Sequence, residues 1–287
     1  MRQRLISAAV LVPVVVIIFV AGEPWLSLGI LLLACLAAFE TARLVRLAGL
    51  GAPTWLAVIG AGAAVVIAPF AIGAYSRPTL GPVLLLAYIA LVPIVAAFGA
   101  LASAEPRAAF NRWVGTIVAI VYPGLLAFLL AVLYAAPPES PGAPLVGILD
   151  YGRRWLLVLV LTVWSTDTFA YLTGRTYPRG RMAPSISPNK TWSGAIGGTV
   201  AAVIVCAALV WAVGENPIAG AVLGFIIAIA GQAGDLTESV LKRTAEVKDS
   251  GNLIPGHGGI LDRLDSFLFA APALVLTLLV FRELNIW

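Results

Sequence analysis

The sequence predicts an all-α, polytopic membrane protein with about nine transmembrane helices, on three observations. Of its 287 residues 61% are hydrophobic and only 11% charged, and the mean hydropathy is +0.99, outside the range of soluble globular chains. The apolar residues fall into stretches close to the roughly 17–25 residues with which a helix crosses a hydrocarbon core about 30 Å thick. Basic residues collect in alternate connections between those stretches. Backbone groups in lipid must be satisfied internally, and no ten-residue alternating pattern argues for a barrel, so helices are the expected spanning element.

The spans are expected near 5–21, 25–46, 55–74, 81–102, 113–135, 153–174, 191–213, 217–234 and 266–282. Breakers separate them: Glu23-Pro24, Gly51-Ala-Pro53, Arg77-Pro78, Glu105-Pro106, the Pro137-Pro-Glu-Ser-Pro141-Gly142 loop and Asn216-Pro217. The first stretch, with Arg2 and Arg4 before it and Val20-Ala-Gly22 after it, has the layout of a secretory signal. Eight further spans make an uncleaved first helix the better reading.

With a cytoplasmic amino terminus, fourteen of the 18 Lys and Arg residues fall inside, leaving Arg77, Arg153, Arg154 and Arg282 outside. This asymmetry puts the charged segments 175–190 and 235–265 on the cytoplasmic side. The excess of base, net +4, therefore reads as topology and phosphate binding, not nucleic-acid binding. Cys35 and Cys206 sit in apolar runs and read as small buried hydrophobes. Composition divides the chain into residues 1–150, about five spans with few interior charges, and residues 151–287, the expected catalytic region. Glu40, Arg43 and Arg46 lie near a helix end and are expected to snorkel to the interface. There is no internal repeat, low-complexity tract or soluble domain.

Eight of the 14 acids fall between Asp167 and Asp265. If the eighth span continues as a helix, Asp235, Glu238 or Ser239, and Lys242 line one face while Arg243 points elsewhere. The bland alternative is an interfacial helix end with a Glu238–Lys242 pair. Against it, Asp235 directly follows the apolar run ending Gly231-Gln-Ala-Gly234, where a carboxylate needs a cation. Asp262 and Asp265 are i, i+3 neighbours at the entrance to the last span. They suit either the positive end of the helix dipole or, with Asp235 and Asp249, Mg²⁺ that also binds substrate phosphates. Gly256-His257-Gly258-Gly259 reads as a tight turn whose N–H groups can approach a phosphate. His257 is open to three roles: stabilising that turn, binding phosphate or, ranked last, transferring a proton. The last ranks low because a phosphate monoester, with a second pKa of about 6, needs little general-base help.

The second charged segment runs from Asp167-Thr-Phe-Ala-Tyr-Leu-Thr-Gly-Arg175 to Met182-Ala-Pro-Ser-Ile-Ser187-Pro-Asn189-Lys190-Thr191-Trp-Ser193-Gly194. Ser187 and Asn189 are both N-cap candidates for the span starting near 191, and a helix amino terminus beside Lys190 and the Thr191 hydroxyl suits an anion. The Gly-x4-Gly-Lys-Ser/Thr spacing of a P-loop is absent.

The run Ser239-Val-Leu-Lys242-Arg243, four residues, Lys248-Asp249, Pro255-Gly-His257-Gly258-Gly259 and Asp262-Arg263-Leu-Asp265 resembles, without departure, the signature of the phosphatidate cytidylyltransferases (CDP-diacylglycerol synthases). The upstream segment resembles that family's second motif imperfectly: Phe169 stands where a small residue is usual, Pro178 where the family has Gly, and Ser193 where an acid follows the Lys-Thr pair. The resemblance implies cytidylyl transfer from CTP to phosphatidic acid at the cytoplasmic face of a bacterial inner membrane. It implies Asp235 and Asp262 as Mg²⁺ ligands, with Asp249 and Asp265 additional. Lys242, Arg243, Lys248 and Arg263 would hold the triphosphate and lipid phosphate. Ser239, Gly258 and Gly259 would line the substrate, and Arg175, Ser187, Asn189, Lys190 and Thr191 its far rim. A second cation and a homodimer remain compatible with it. Two other readings are a secondary transporter with intramembrane acids, disfavoured by the missing repeat and the clustering of charge at one end, and a CTP-dependent lipid-alcohol kinase.

Overall fold

A computed structural model describes residues 2–71, 79–135, 149–256 and 258–286. The described residues form ten helices and one short ribbon: α1 (Arg2–Ala21), α2 (Trp25–Leu47), α3 (Thr54–Ala71), α4 (Leu80–Ala100), α5 (Pro106–Gly124), α6 (Ala127–Ala135), α7 (Tyr151–Thr176), β1 (Arg181–Ala183), β2 (Ser187–Thr191), α8 (Trp192–Ala212), α9 (Pro217–Thr244) and α10 (Leu261–Glu283). Among the described residues, eight helical segments are long and apolar enough to cross a membrane, and the shorter apolar stretch Val12–Ala21 of α1 accompanies them. The protein is therefore an all-α, multi-pass membrane protein. The Arg77-Pro78 and Pro137 to Gly142 breakers and His257 lie outside the described residues.

One compact unit comprises Met1–Ala131 and Val240–Leu264, the other Val132–Ser239 and Asp265–Trp287. In the first, α2, α3 and α5 pack through small side chains. Ala38, Ala42, Val45, Ala57, Ala61 and Ala119 form a buried seam, against which Leu241 from the end of α9 also packs. Small residues let helices approach where water gives no hydrophobic drive. The fifth span is two helices in tandem. Pro123 lacks an N–H, and the chain tightens there to bonds from Leu126 N to Pro123 O and from Leu129 N to Leu126 O, at 3.1 and 3.0 Å.

In the second unit α7 and α8 run against each other. A Cβ on Gly198 would sit 2.6 Å from the Thr166 carbonyl, so only glycine permits that approach. On the α9 and α10 side the Gly234 Cβ position is 2.5 Å from the Asp265 carbonyl, which brings Asp265 against the turn of α9 that carries Asp235. Large apolar side chains point outward, among them Ile204, 64% exposed, and Ile218, 74% exposed, as expected for a surface solvated by lipid.

The ribbon goes beyond what the sequence predicts. β1 and β2 pair antiparallel with Arg181 opposite Thr191 and Ala183 opposite Ser187. Its two strands are too short for the hydropathy pattern to declare them.

Candidate active site

The signature segment folds into a loop whose two ends are fixed by helix chemistry. α9 closes with Glu246 at φ 56°, while Glu246 N donates to Arg243 O and Val247 N to Lys242 O at 3.0 and 2.9 Å. This is a Schellman arrangement, and it fixes the backbone carrying Lys242. The loop then turns through Gly256 and Gly258 at φ 77° and 84°, a left-handed region that disfavours other residues. Ile254 N donates to Gly258 O at 3.0 Å.

Asp262, at the start of α10, gathers the loop around its carboxylate. Its Oδ1 accepts from Lys242 Nζ at 2.7 Å, and its Oδ2 from Ser250 N, Ser250 Oγ and Gly259 N at 2.9, 2.9 and 2.8 Å. Lys242 is thus paired with Asp262, across the loop, at 14% and 7% side-chain exposure. A Cβ on Gly258 would stand 2.7 Å from Asp262 Oδ2 and 3.5 Å from the Asp249 Cβ, so the Asp262 carboxylate flanks the turn backbone directly, with the base of the Asp249 side chain beside it. Arg243, Lys248, Asp249 and Arg263 are exposed around this loop, with Arg243 Nη1 reaching Val247 O at 3.4 Å.

Glu40 corrects the sequence reading. It does not snorkel: it is 1% exposed, and its carboxylate accepts from Ser250 Oγ, Ile260 N and Leu261 N at 3.1, 3.2 and 2.8 Å. The signal was present, because an acid six residues inside a predicted span must find partners. Arg43 and Arg46 are both exposed, with Arg46 donating to Ala52 O at 3.0 Å and to the Thr54 hydroxyl.

The second unit holds a separate group. Lys190 on β2 pairs with Asp235 Oδ2 at 2.7 Å, which supplies the cation that Asp235 required. Asp167 interacts electrostatically with Asp265, Asp235 and Lys190. Asp167, missed as a site residue, lies nine residues before the end of α7, about 13 Å along the axis, and that depth was the signal. Arg175 at the same helix end donates to the Tyr171 hydroxyl at 2.8 Å and stacks on its ring at 5.9 Å. Ser239 is buried on α9.

Neither Ser187 nor Asn189 caps α8. Both lie on β2, and the cap is Thr191, whose hydroxyl accepts from Gly194 N at 3.1 Å. The pairing of Thr191 with Arg181 ends the strand one residue before the helix begins, which leaves no room for the earlier candidates. Ser193, at the position where the family carries an acid, closes the ribbon instead: its hydroxyl donates to Tyr177 O at 2.5 Å and accepts from Arg179 N at 3.1 Å.

Among the described residues no three His, Cys, Asp or Glu side chains converge as a ready metal cage. Mg²⁺ commonly takes one or two carboxylates and completes its shell with water and substrate phosphates. Asp235 beside Lys190, with Asp167 in electrostatic reach of Asp235 and Asp265, offers the one or two hard carboxylate oxygens of that donor chemistry.

A profile of the cytidylyltransferase family matches residues 2–281. The chain belongs to the cytidylyltransferase family. Among similar proteins, a phosphatidate cytidylyltransferase of Bacillus subtilis (strain 168) is 46% identical over 135 residues, covering 46% of this chain and 50% of the relative. Those of Brucella abortus (strain 2308) and Staphylococcus aureus (strain COL) are each 47% identical, over 136 and 130 residues, covering 46% and 45% of this chain and half of each relative. The matched stretch thus spans about half the length of these curated relatives. Membership of the cytidylyltransferase family accords with the resemblance carried by residues 239–265.

Proposed function

We propose that this protein transfers the cytidylyl group of CTP to phosphatidic acid, giving CDP-diacylglycerol and pyrophosphate. The observation that carries the reading is the folded signature loop, in which Lys242, Ser250 and Gly259 converge on Asp262 in a chain of this family. Phosphoryl-type transfer asks the protein for positioning and charge neutralisation more than for covalent chemistry. A lipid phosphate oxygen, already anionic near neutral pH, attacks the α-phosphorus of CTP. The bond from that phosphorus to the bridging oxygen of the β-phosphate breaks, and pyrophosphate departs with the bonding pair.

The residues proposed as Mg²⁺ ligands are Asp235 and Asp265 in one unit and Asp249 and Asp262 in the other. An ion held by such carboxylates would supply neutralisation of triphosphate charge as the bridging bond breaks. Lys190 and Lys242 each rest against a carboxylate at 2.7 Å, where an arriving phosphate competes for the ammonium. Arg243, Lys248 and Arg263 are the exposed donors proposed for the triphosphate and lipid phosphate, with Gly258 and Gly259 presenting backbone N–H groups.

The test uses purified protein with labelled CTP, phosphatidic acid and Mg²⁺, followed by identification of the lipid product. CDP-diacylglycerol is the expected product. A phosphorylated lipid alcohol with CDP, when a lipid alcohol is supplied, would instead indicate a CTP-dependent kinase, and no nucleotide-dependent product would leave the transporter reading. Direct attack also predicts that enzyme, CTP, Mg²⁺ and labelled pyrophosphate, without phosphatidic acid or its product, put no label into CTP. Lipid-independent exchange abolished in His257→Ala would instead identify a covalent carrier.

A further inference from the structure

We infer that Glu40 is a positioning residue for the reaction: from α2 it sets the loop that presents Gly258, Gly259 and Asp262. This rests on the reading of that loop as catalytic. The first four N–H groups of a helix have no partner within it, and Glu40 supplies acceptors for two groups at the start of α10, Ile260 N at 3.2 Å and Leu261 N at 2.8 Å. Negative charge is favoured at that end of the dipole. The same carboxylate reaches Ser250 Oγ at 3.1 Å, while that hydroxyl lies 2.9 Å from Asp262 Oδ2. Ser250 has one hydroxyl proton, which it can give to only one of the two carboxylates at a time, so its Oγ is shared between them and couples the place of one to the place of the other.

The loop is shaped around this carboxylate. A Cβ on Gly251 would lie 2.2 Å from Glu40 Oε1, and one on Gly259 2.5 Å from Glu40 Oε2. Neither distance is tolerable for real atoms, and in both cases the Glu40 head is an obstacle. Glu40 touches no reacting group. It acts through Ser250 and the two amides, and a displacement of about 1 Å in a positioned group can cost a hundredfold in rate.

Hydrogen exchange followed by mass spectrometry reads the loop without substrate, and steady-state kinetics read the consequence. In Glu40→Gln, which keeps size and one acceptor oxygen, exchange across 250–262 should rise at least tenfold while α3 to α5 stay as in wild type. kcat should fall more than tenfold with KM for phosphatidic acid changed less than threefold. Glu40→Ala should do more of the same. Gly251→Ala should impair the wild type, yet cost less than twofold further in the Glu40→Ala background, because the obstructing head is gone.

Unchanged loop exchange in both Glu40 variants would overturn the proposal. So would increased exchange spread through α3 to α5 in Glu40→Gln, which would make the residue a general stabiliser, or additive losses in the Gly251 pair. If the wild type makes no CDP-diacylglycerol, the proposed reaction fails, while exchange at 250–262 still decides whether Glu40 holds the loop.

Discussion

Substituting Asp262 by Asn tests the geometry of the signature loop in a way that removing the side chain would not. The carboxylate spends both oxygens, one on Lys242 and the other on three donors from Ser250 and Gly259. An amide has one oxygen. If that oxygen replaces Oδ2, the three donors keep their acceptor and the amide N–H₂ faces the Lys242 ammonium. If it is flipped, the N–H₂ faces three donors. The first arrangement loses less, and its loss is one charge-assisted hydrogen bond between groups 14% and 7% exposed, about 1.5–3 kcal/mol. In a Lys242→Met background that bond is already gone, so Asp262→Asn should cost less there, with a coupling of about 1–3 kcal/mol. The measurement is a double-mutant cycle on unfolding free energy in mixed detergent micelles, repeated at raised salt, where the screened contribution of so enclosed a pair should change little. Additivity within about 0.5 kcal/mol would refute the pairing and the assignment of Lys242 to Asp262.

Reporters fused after Lys190 and after Lys248 should both mark the cytoplasm, and one in the 137–144 loop the opposite side; differing locations for the first two would sink the proposed reaction site. Asp235→Asn should lose most of its turnover across a Mg²⁺ titration while remaining folded and inserted, and near-normal rates would remove Asp235 from the proposed ligands. Gly224→Ala should destabilise the second unit by about 1–3 kcal/mol through overpacking, because its Cβ would stand 2.5 Å from the Ala202 carbonyl and 2.7 Å from the Cys206 Cβ; a thermal unfolding curve in detergent, unchanged from wild type, would contradict that packing.

Hydropathy made the spans legible because each helix must bring its own apolar surface and satisfy its own backbone. The extension of α9 to Thr244 was legible only as a condition on the expected span 217–234: Asp235, Glu238 and Lys242 keep a helical spacing beyond Gly234. Partner choice was not. Lys242 reaches Asp262, 20 residues on, and Lys190 pairs with Asp235, because the lengths and turns of two loops decide which charges meet. The α8 cap escapes sequence reasoning for a related cause. Ser187, Asn189 and Thr191 all have capping side chains, and pairing with Arg181 across the ribbon selects Thr191. Glu40 looks interfacial in the sequence because its partners are separated from it by more than two hundred residues, a distance at which local pattern carries no information.

That separation has a consequence for biogenesis. Ser250, Ile260 and Leu261 follow Glu40 by 210, 220 and 221 residues, so α2 must be made and inserted long before any of its partners leaves the ribosome. At synthesis rates of about 5–20 residues per second, the interval is on the order of ten seconds or more. A carboxylate near the bilayer centre costs about 2.5–3.5 kcal/mol on insertion scales, and a position seven residues from the end of α2 keeps Glu40 close enough to the headgroups to stay hydrated while it waits. Its depth suits both stages of the protein's life: shallow enough for a nascent helix to enter lipid alone, deep enough to be enclosed once the final loop arrives.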